Sequence, residues 1–194
     1  NQSLGSNTSG AANAAFGDRS LMSATTADNN TACGRSALQN TTTAGNNTAV
    51  GTSAANANTT GSNNTAVGYE ALNSNTTGTK NVAVGHSSLN AATTADNNVA
   101  LGYQTLLSST TGDLNTAIGN RAMYSSTTTD RCVAVGYQAM FNFNQTGDQY
   151  NTAVGYNAAF TTTTSGQFTA IGGQALFSQT TGNYNTAVGY NCLF

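Results

Sequence analysis

The chain of 194 residues contains no proline, no tryptophan, one histidine and three cysteines, with five Lys or Arg and seven Asp or Glu. Each shortage removes a class of function. Five cations cannot neutralise a run of phosphates, so no nucleic-acid partner is expected. One histidine and seven scattered carboxylates do not make an acid–base pair or a ligand set, so the chain reads as non-enzymatic, with no cofactor and no metal. No apolar run approaches the ~18 residues of a membrane-spanning helix, so no membrane insertion is expected. A formal net charge of −2 is too small to hold a chain open by repulsion. No Gly-rich phosphate loop, Ser/His/Asp set or Cys/His pair is present.

What the chain has is Thr (34), Asn (27) and Gly (21), together 82 residues, and they are arranged in a tandem repeat. The segment Asn64-Thr65-Ala66-Val67-Gly68-Tyr69-Glu70-Ala71-Leu72 recurs, followed by a Thr-Thr-Gly turn at Thr76, Thr77 and Gly78. Its glycine falls at Gly17, Gly34, Gly51, Gly68, Gly85, Gly102, Gly119, Gly136, Gly155, Gly172 and Gly189, a period of 17 broken once by 19. The two extra residues lie within 141–150, and the array fills residues 1–194 as one unit.

A strict period allows columns to be compared within one chain, with the glycine as position 0. Position −2 is always Ala: Ala15, Ala32, Ala49, Ala66, Ala83, Ala100, Ala117, Ala134, Ala153, Ala170 and Ala187. Position −1 is apolar, and −3 is mostly Thr, with Val82, Val99 and Val133 in its place. Position −4 is Asn in nine of eleven repeats, Cys132 and Phe168 being the exceptions. Position +4 is Leu, Met or Ala, and +8 and +9 are Thr-Thr in nine of ten linkers.

A repeat this short cannot bury its few large side chains alone and must stack on its own copies. Asn-Thr-Ala-Val, with β-branched residues and alternation, predicts a short strand ended by the glycine. The expected fold is an all-β solenoid with one 17-residue repeat per coil and about 11 coils. Coils ~4.8 Å apart would make a rod on the order of 50 Å long. The leg after the glycine reads either as a second strand or as a short helical turn, because the small +3 residue and the large +4 residue are adjacent rather than alternating.

The Thr-to-Val exchanges at −3 suggest that the Thr and Val columns face the coil interior and the Ala column faces out. The invariant Ala then has two explanations: crowding within the coil, or an assembly seam between copies formed by Ala49, Ala66, Ala83, Ala100, Ala117, Ala134 and Ala153. Asn30, Asn47, Asn64, Asn81, Asn98 and Asn115 predict an amide ladder along the axis. Asp28, Asp96, Asp113 and Asp130 share position +11 and read as turn residues rather than a calcium set. Cys33, Cys132 and Cys192 occupy three different columns and read as small apolar substitutes.

Aromatic residues gather in the later repeats. Tyr137, Tyr156 and Tyr190 share one column and Phe160, Phe177 and Phe194 another. Stacking along the solenoid is the first expectation, and a lateral or sugar-binding contact face the second. Sequons that would carry glycans on a secreted eukaryotic chain include Asn7, Asn29, Asn40, Asn58 and Asn75. Neither end shows a charged or Pro-rich cap, so the open coils are expected to continue into a longer array or to meet other copies. The chain begins without an initiator Met or a signal peptide, as a processed or excerpted chain would.

The motif Asn-Thr-Ala-Val-Gly-Tyr-X-Ala-Leu, carried by Asn47–Gly51, Asn64–Leu72, Asn151–Gly155 and Asn185–Gly189, resembles the repeat regions of phage tail fibres and related bacterial surface fibres. More distantly it is similar to the β-roll heads of trimeric autotransporter adhesins, whose strands carry Val-Ala-Ile-Gly. The resemblance covers the whole chain and implies an extracellular, non-enzymatic β-solenoid fibre. The leading expectation is therefore a structural fibre subunit or shaft whose partners are copies of itself, in a filament or a trimer. The alternative is an adhesin or receptor-binding segment with surface glycans as partners. A third is an ice-binding solenoid, against which the two adjacent threonines of each linker count, since neighbours on an extended chain point opposite ways.

Overall fold

The computed structural model describes residues 2–194 and is a parallel β-solenoid. Its strands are β1 (Ala14–Phe16), β2 (Thr31–Cys33), β3 (Thr48–Val50), β4 (Thr65–Val67), β5 (Val82–Val84), β6 (Val99–Leu101), β7 (Thr116–Ile118), β8 (Thr129–Asp130), β9 (Val133–Val135), β10 (Gly147–Asp148), β11 (Thr152–Val154), β12 (Thr169–Ile171) and β13 (Thr186–Val188). Eleven of them form one parallel sheet in the order β1-β2-β3-β4-β5-β6-β7-β9-β11-β12-β13, while β8 and β10 pair beside the insertion. The register never slips: −3 pairs with −3, Ala at −2 with Ala at −2, and −1 with −1 in every step, as in Thr65↔Val82, Ala66↔Ala83 and Val67↔Val84.

Hydrogen bonds between coils continue far beyond the strands. Going from the Gly68 coil to the next, Leu72 N–H donates to Ser88 O (2.9 Å), Ser74 to Asn90 (3.0 Å), and Thr76 to Thr93 (2.9 Å). In the opposite sense Gly85 N–H donates to Val67 O (2.8 Å) and Ser87 to Tyr69 (2.9 Å). At the Thr-Thr corner the +8 hydroxyl repeats this link: Thr59 Oγ1 donates to Thr76 O and Thr76 Oγ1 to Thr93 O, both at 2.9 Å. Backbone polar groups are thus paired along the axis around most of the contour, which lets so thin a coil exist.

The leg after the glycine is neither a strand nor a helical turn, and no helix occurs among the described residues. It is a sequence of turns with left-handed residues at +2 and +4, for example Glu70 (φ 53°) and Leu72 (φ 53°). This curl sends adjacent side chains the same way, and Ala71 and Leu72 are both fully buried. A left-handed Leu costs about 1–2 kcal/mol, and burying its side chain returns about 1.5–3 kcal/mol. The conformation survives because the core and the inter-coil bonds hold it, not because the residue prefers it. The core is a thin column of Leu, Met or Ala at +4 with small residues at −2, +3 and +10 around it.

The motif glycine is required twice over. Its φ lies between +129° and +144° throughout, a region closed to L side chains. A Cβ on Gly85 would also lie 2.2 Å from the carbonyl oxygen of Gly102 in the next coil. Gly85→Ala should therefore lower stability by more than about 3 kcal/mol. Gly147→Ala, at φ 74° with nothing within 4 Å of the added methyl, should cost about 1 kcal/mol. Denaturant midpoints followed by far-UV circular dichroism compare the two; equal midpoints would contradict the close-packed glycine column.

Candidate functional surfaces

The strand orientation is the reverse of the expected one. Ala32, Ala49, Ala66, Ala83, Ala100, Ala117, Ala134, Ala153 and Ala170 are all buried inside the coil of a single chain. The Ala column therefore cannot be a seam between copies. Its invariance comes from crowding, since the inward strand position faces the Leu column across a narrow interior where nothing larger than a methyl fits. The Thr and Val columns point outward, with Val50 37%, Leu101 44% and Ile171 41% exposed. Thr and Val exchange at −3 because both suit an exposed pleated surface.

The Asn column forms the predicted ladder. From Asn30 to Asn115, each backbone N–H donates to the Oδ1 of the preceding Asn at 2.9–3.0 Å. The side-chain amide completes the rung: Asn47 Nδ2 donates to Asn30 Oδ1 (3.1 Å) and to Gly61 O, three residues before the next rung Asn64 (2.9 Å). Both amide hydrogens are used, and the side chain ties the strand to the Thr-Thr corner. Net, each such bond contributes about 1 kcal/mol, and an orphaned buried donor costs about 1–3 kcal/mol. The ladder stops at Cys132, whose N–H still reaches Asn115 Oδ1 (3.0 Å). Cys132 offers no amide oxygen, and Asn151 Nδ2 is buried without a partner. Beyond it Phe168 replaces the rung and packs edge-on against Phe143, ring centroids 5.8 Å apart. Burial pushes the Cys132 thiol up to about 12, so this cysteine is an unreactive core residue. Cys33 is exposed and Cys192 partly so, and all three thiols are free.

Position +11 carries a second ladder. Asp96 Oδ1 accepts from Thr79 N–H (2.5 Å), Asp113 Oδ1 from Asp96 N–H (2.6 Å), and Asp130 Oδ1 from Asp113 N–H (2.7 Å). The turn aspartates are thus backbone acceptors stacked one per coil. Among the described residues no group of three or more His, Cys, Asp or Glu is placed to hold a metal ion. Partial burial raises the Asp113 carboxyl above its usual range, helped by the like charges of Asp96 and Asp130. Six residues rather than four separate Phe143 at +7 from Tyr150 at +12. This enlarged corner is pinned by an Arg131–Asp148 ion pair and by Arg131 over the Tyr150 ring (5.8 Å). It borders a polar cleft of about 260 Å³ lined by Gln145, Gln149, Gln167, Asn183 and Tyr184.

The two aromatic columns stack along the axis. Tyr124, Phe141, Phe160, Phe177 and Phe194 form one pile, with centroids 5.0–5.3 Å apart and planes within 12°. Tyr137 and Tyr156 stack in the same way (5.3 Å, 9°), and Tyr190 is exposed beside Gly173, which interrupts the column. Rings inside these piles cover each other's faces and present edges outward. Of the sequon asparagines, Asn7 and Asn29 are exposed and Asn40 is half-buried. Asn58 and Asn75 are buried at +7, where Asn58 Nδ2 donates to Gly61 O (2.9 Å) and Asn75 Nδ2 to Asn58 Oδ1 (2.7 Å). Those two nitrogens cannot carry glycans in the folded coil.

The Asp113 shift has a defined consequence. A carboxyl whose folded pKa is raised binds its proton more tightly in the folded state. Its stabilising contribution is complete below the ordinary value near 3.8 and is lost as pH rises through the raised folded value. Asp113→Asn keeps the acceptor, as Asn183 does for Gly166 N–H at 2.8 Å. The variant should be more stable than the parent at pH 7 and gain less on acidification. Thermal melts from pH 7 to 3.5 test this, and parallel pH curves for the two proteins would contradict it.

No protein-family model, curated protein or solved structure matches this chain.

Proposed function

We propose that the chain is a shaft segment of an extracellular, non-enzymatic fibre, in which coil-on-coil stacking carries the load. The observation that supports this most is the continuity of axial bonding. Strand, glycine leg, Thr corner, Asn rung and Asp stack all link one coil to the next. Tension along the axis is shared among many bonds per coil, each contributing about 0.5–1.5 kcal/mol net. The low charge, the uncharged strand face and the resemblance to fibre repeats point the same way. A sugar-binding role for the aromatic columns has less support, because stacked rings leave few faces for a pyranose.

Electron microscopy and fibre diffraction of the native assembly test the proposal. The solenoid axis should run along the fibre, giving a meridional reflection near ~4.8 Å. Compact particles, or coils lying across the fibre axis, would overturn it.

A further inference from the structure

We infer that the outward strand face is a lateral docking surface for a second copy of this chain. The face consists of the −3 and −1 ranks, two outward residues from each of eleven strands. None of these 22 residues is charged, and the −1 rank is an unbroken row of Phe16, Cys33, Val, Leu and Ile. The charged residues lie elsewhere. Asp18, Arg35 and Glu70 follow the strand at +1 and +2, while Lys80, Asp96 and Arg131 precede it at +11 and +12. The −1 rank is apolar and the −3 rank is Thr in seven of eleven strands, so an uncharged strip with an apolar row lies between charged margins, the layout of an interface core and its rim. Exposed strips of this extent mark interaction sites rather than ordinary surface.

Three arguments identify the occupant. The first is periodicity. Side chains of one rank project at the strand spacing of ~4.8 Å, and they fit between the side chains of a facing surface only if that surface has the same repeat. A second copy has it by construction, whereas an unrelated globular partner does not. The second is area. A strip roughly 50 Å long and 12 Å wide is about 600 Å² per copy, so two copies bury about 1,200 Å², the lower edge of specific complexes. The third is the residue choice. The −1 rank varies among Val, Ile, Leu, Cys and Phe, which repacking against a similar surface accommodates. An ordered-water lattice would instead require a constant shape. This association is lateral, so it goes beyond the fibre reading and holds independently of end-to-end assembly.

The test is light scattering of the chain together with small-angle scattering of its cross-section. The parent should show an integer multiple of 19.6 kDa and a thicker cross-section than a single coil, at unchanged rod length. Val82→Lys with Leu101→Lys and Val133→Lys, all on the face, should return the mass to a single copy with the β signal retained. Thr77→Lys with Thr94→Lys and Thr111→Lys, at the far corner, should leave it unchanged. As a variant with little folding risk, Leu101→Cys in a Cys33→Ser, Cys192→Ser background places a thiol at the sixth of eleven strands. Mild oxidation should cross-link it between copies, whereas Thr94→Cys should not cross-link. A parent of 19.6 kDa, a mass unaffected by the face variants, or growth in length alone would overturn the proposal. So would a single-copy parent that inhibits ice recrystallisation, since the face would then meet ordered water.

Discussion

The bond from each Asn backbone amide to the side-chain oxygen of the Asn one coil earlier is the interaction on which the rest of the structure depends. It stands at the entry to the strand, where the chain turns inward and a buried N–H would otherwise lack an acceptor. The same side chain donates to the carbonyl just after the Thr-Thr pair, three residues before the next rung. One residue type therefore fixes register, closes the corner and satisfies the backbone. Because every rung is bonded through its neighbour, the spacing of 17 residues becomes a geometric requirement. The insertion after Phe143 falls in a corner, in the one coil step where Cys132 has already broken the ladder, and both flanking strands still keep their register.

The glycine column sets how close the coils come, and the Leu column sets what fills them. Glycine at position 0 brings backbone within reach of backbone, at a φ no other residue adopts. Left-handed residues two and four positions later then deliver a small and a large side chain into one narrow interior. Each departure from ordinary conformation is held by bonds to the coils on either side. Stability consequently belongs to the stack rather than to any coil, as expected of a quasi-one-dimensional protein.

Much of this was legible in the columns. Period, coil count, strand position, the glycine and the Asn ladder all follow from recurrence at fixed spacing. The side of the strand that faces inward did not. Thr-to-Val exchange at −3 looks like a core position, yet a thin interior tolerates less variation than an open sheet face. The better signal was the invariance of a minimal side chain: Ala66 and its equivalents are fixed because they are crowded. The glycine leg was equally opaque, since left-handed Leu runs against intrinsic preference and only tertiary contacts impose it. Adjacent Ala71 and Leu72, both needing burial, already marked a chain that could not alternate. Asn58 and Asn75 satisfied the sequon rule while occupying the interior +7 position, because a three-residue pattern carries no information about depth.

The corrected orientation also changes where a partner belongs. The chain's uncharged surface lies on the sheet, between two charged margins, while its crowded alanines lie inside. Axial bonding and an uncharged strand face are separate features, one accounting for the rod and the other carrying the lateral contact proposed above. The central claim, that a buried Asn ladder holds the coils in register, is tested most directly by hydrogen exchange of the side-chain amides. Asn64, Asn81 and Asn98 should exchange far more slowly than Asn46, Asn63 and Asn97, which are exposed at the +12 corner. Similar rates for the two sets would contradict the ladder and with it the account of the fold.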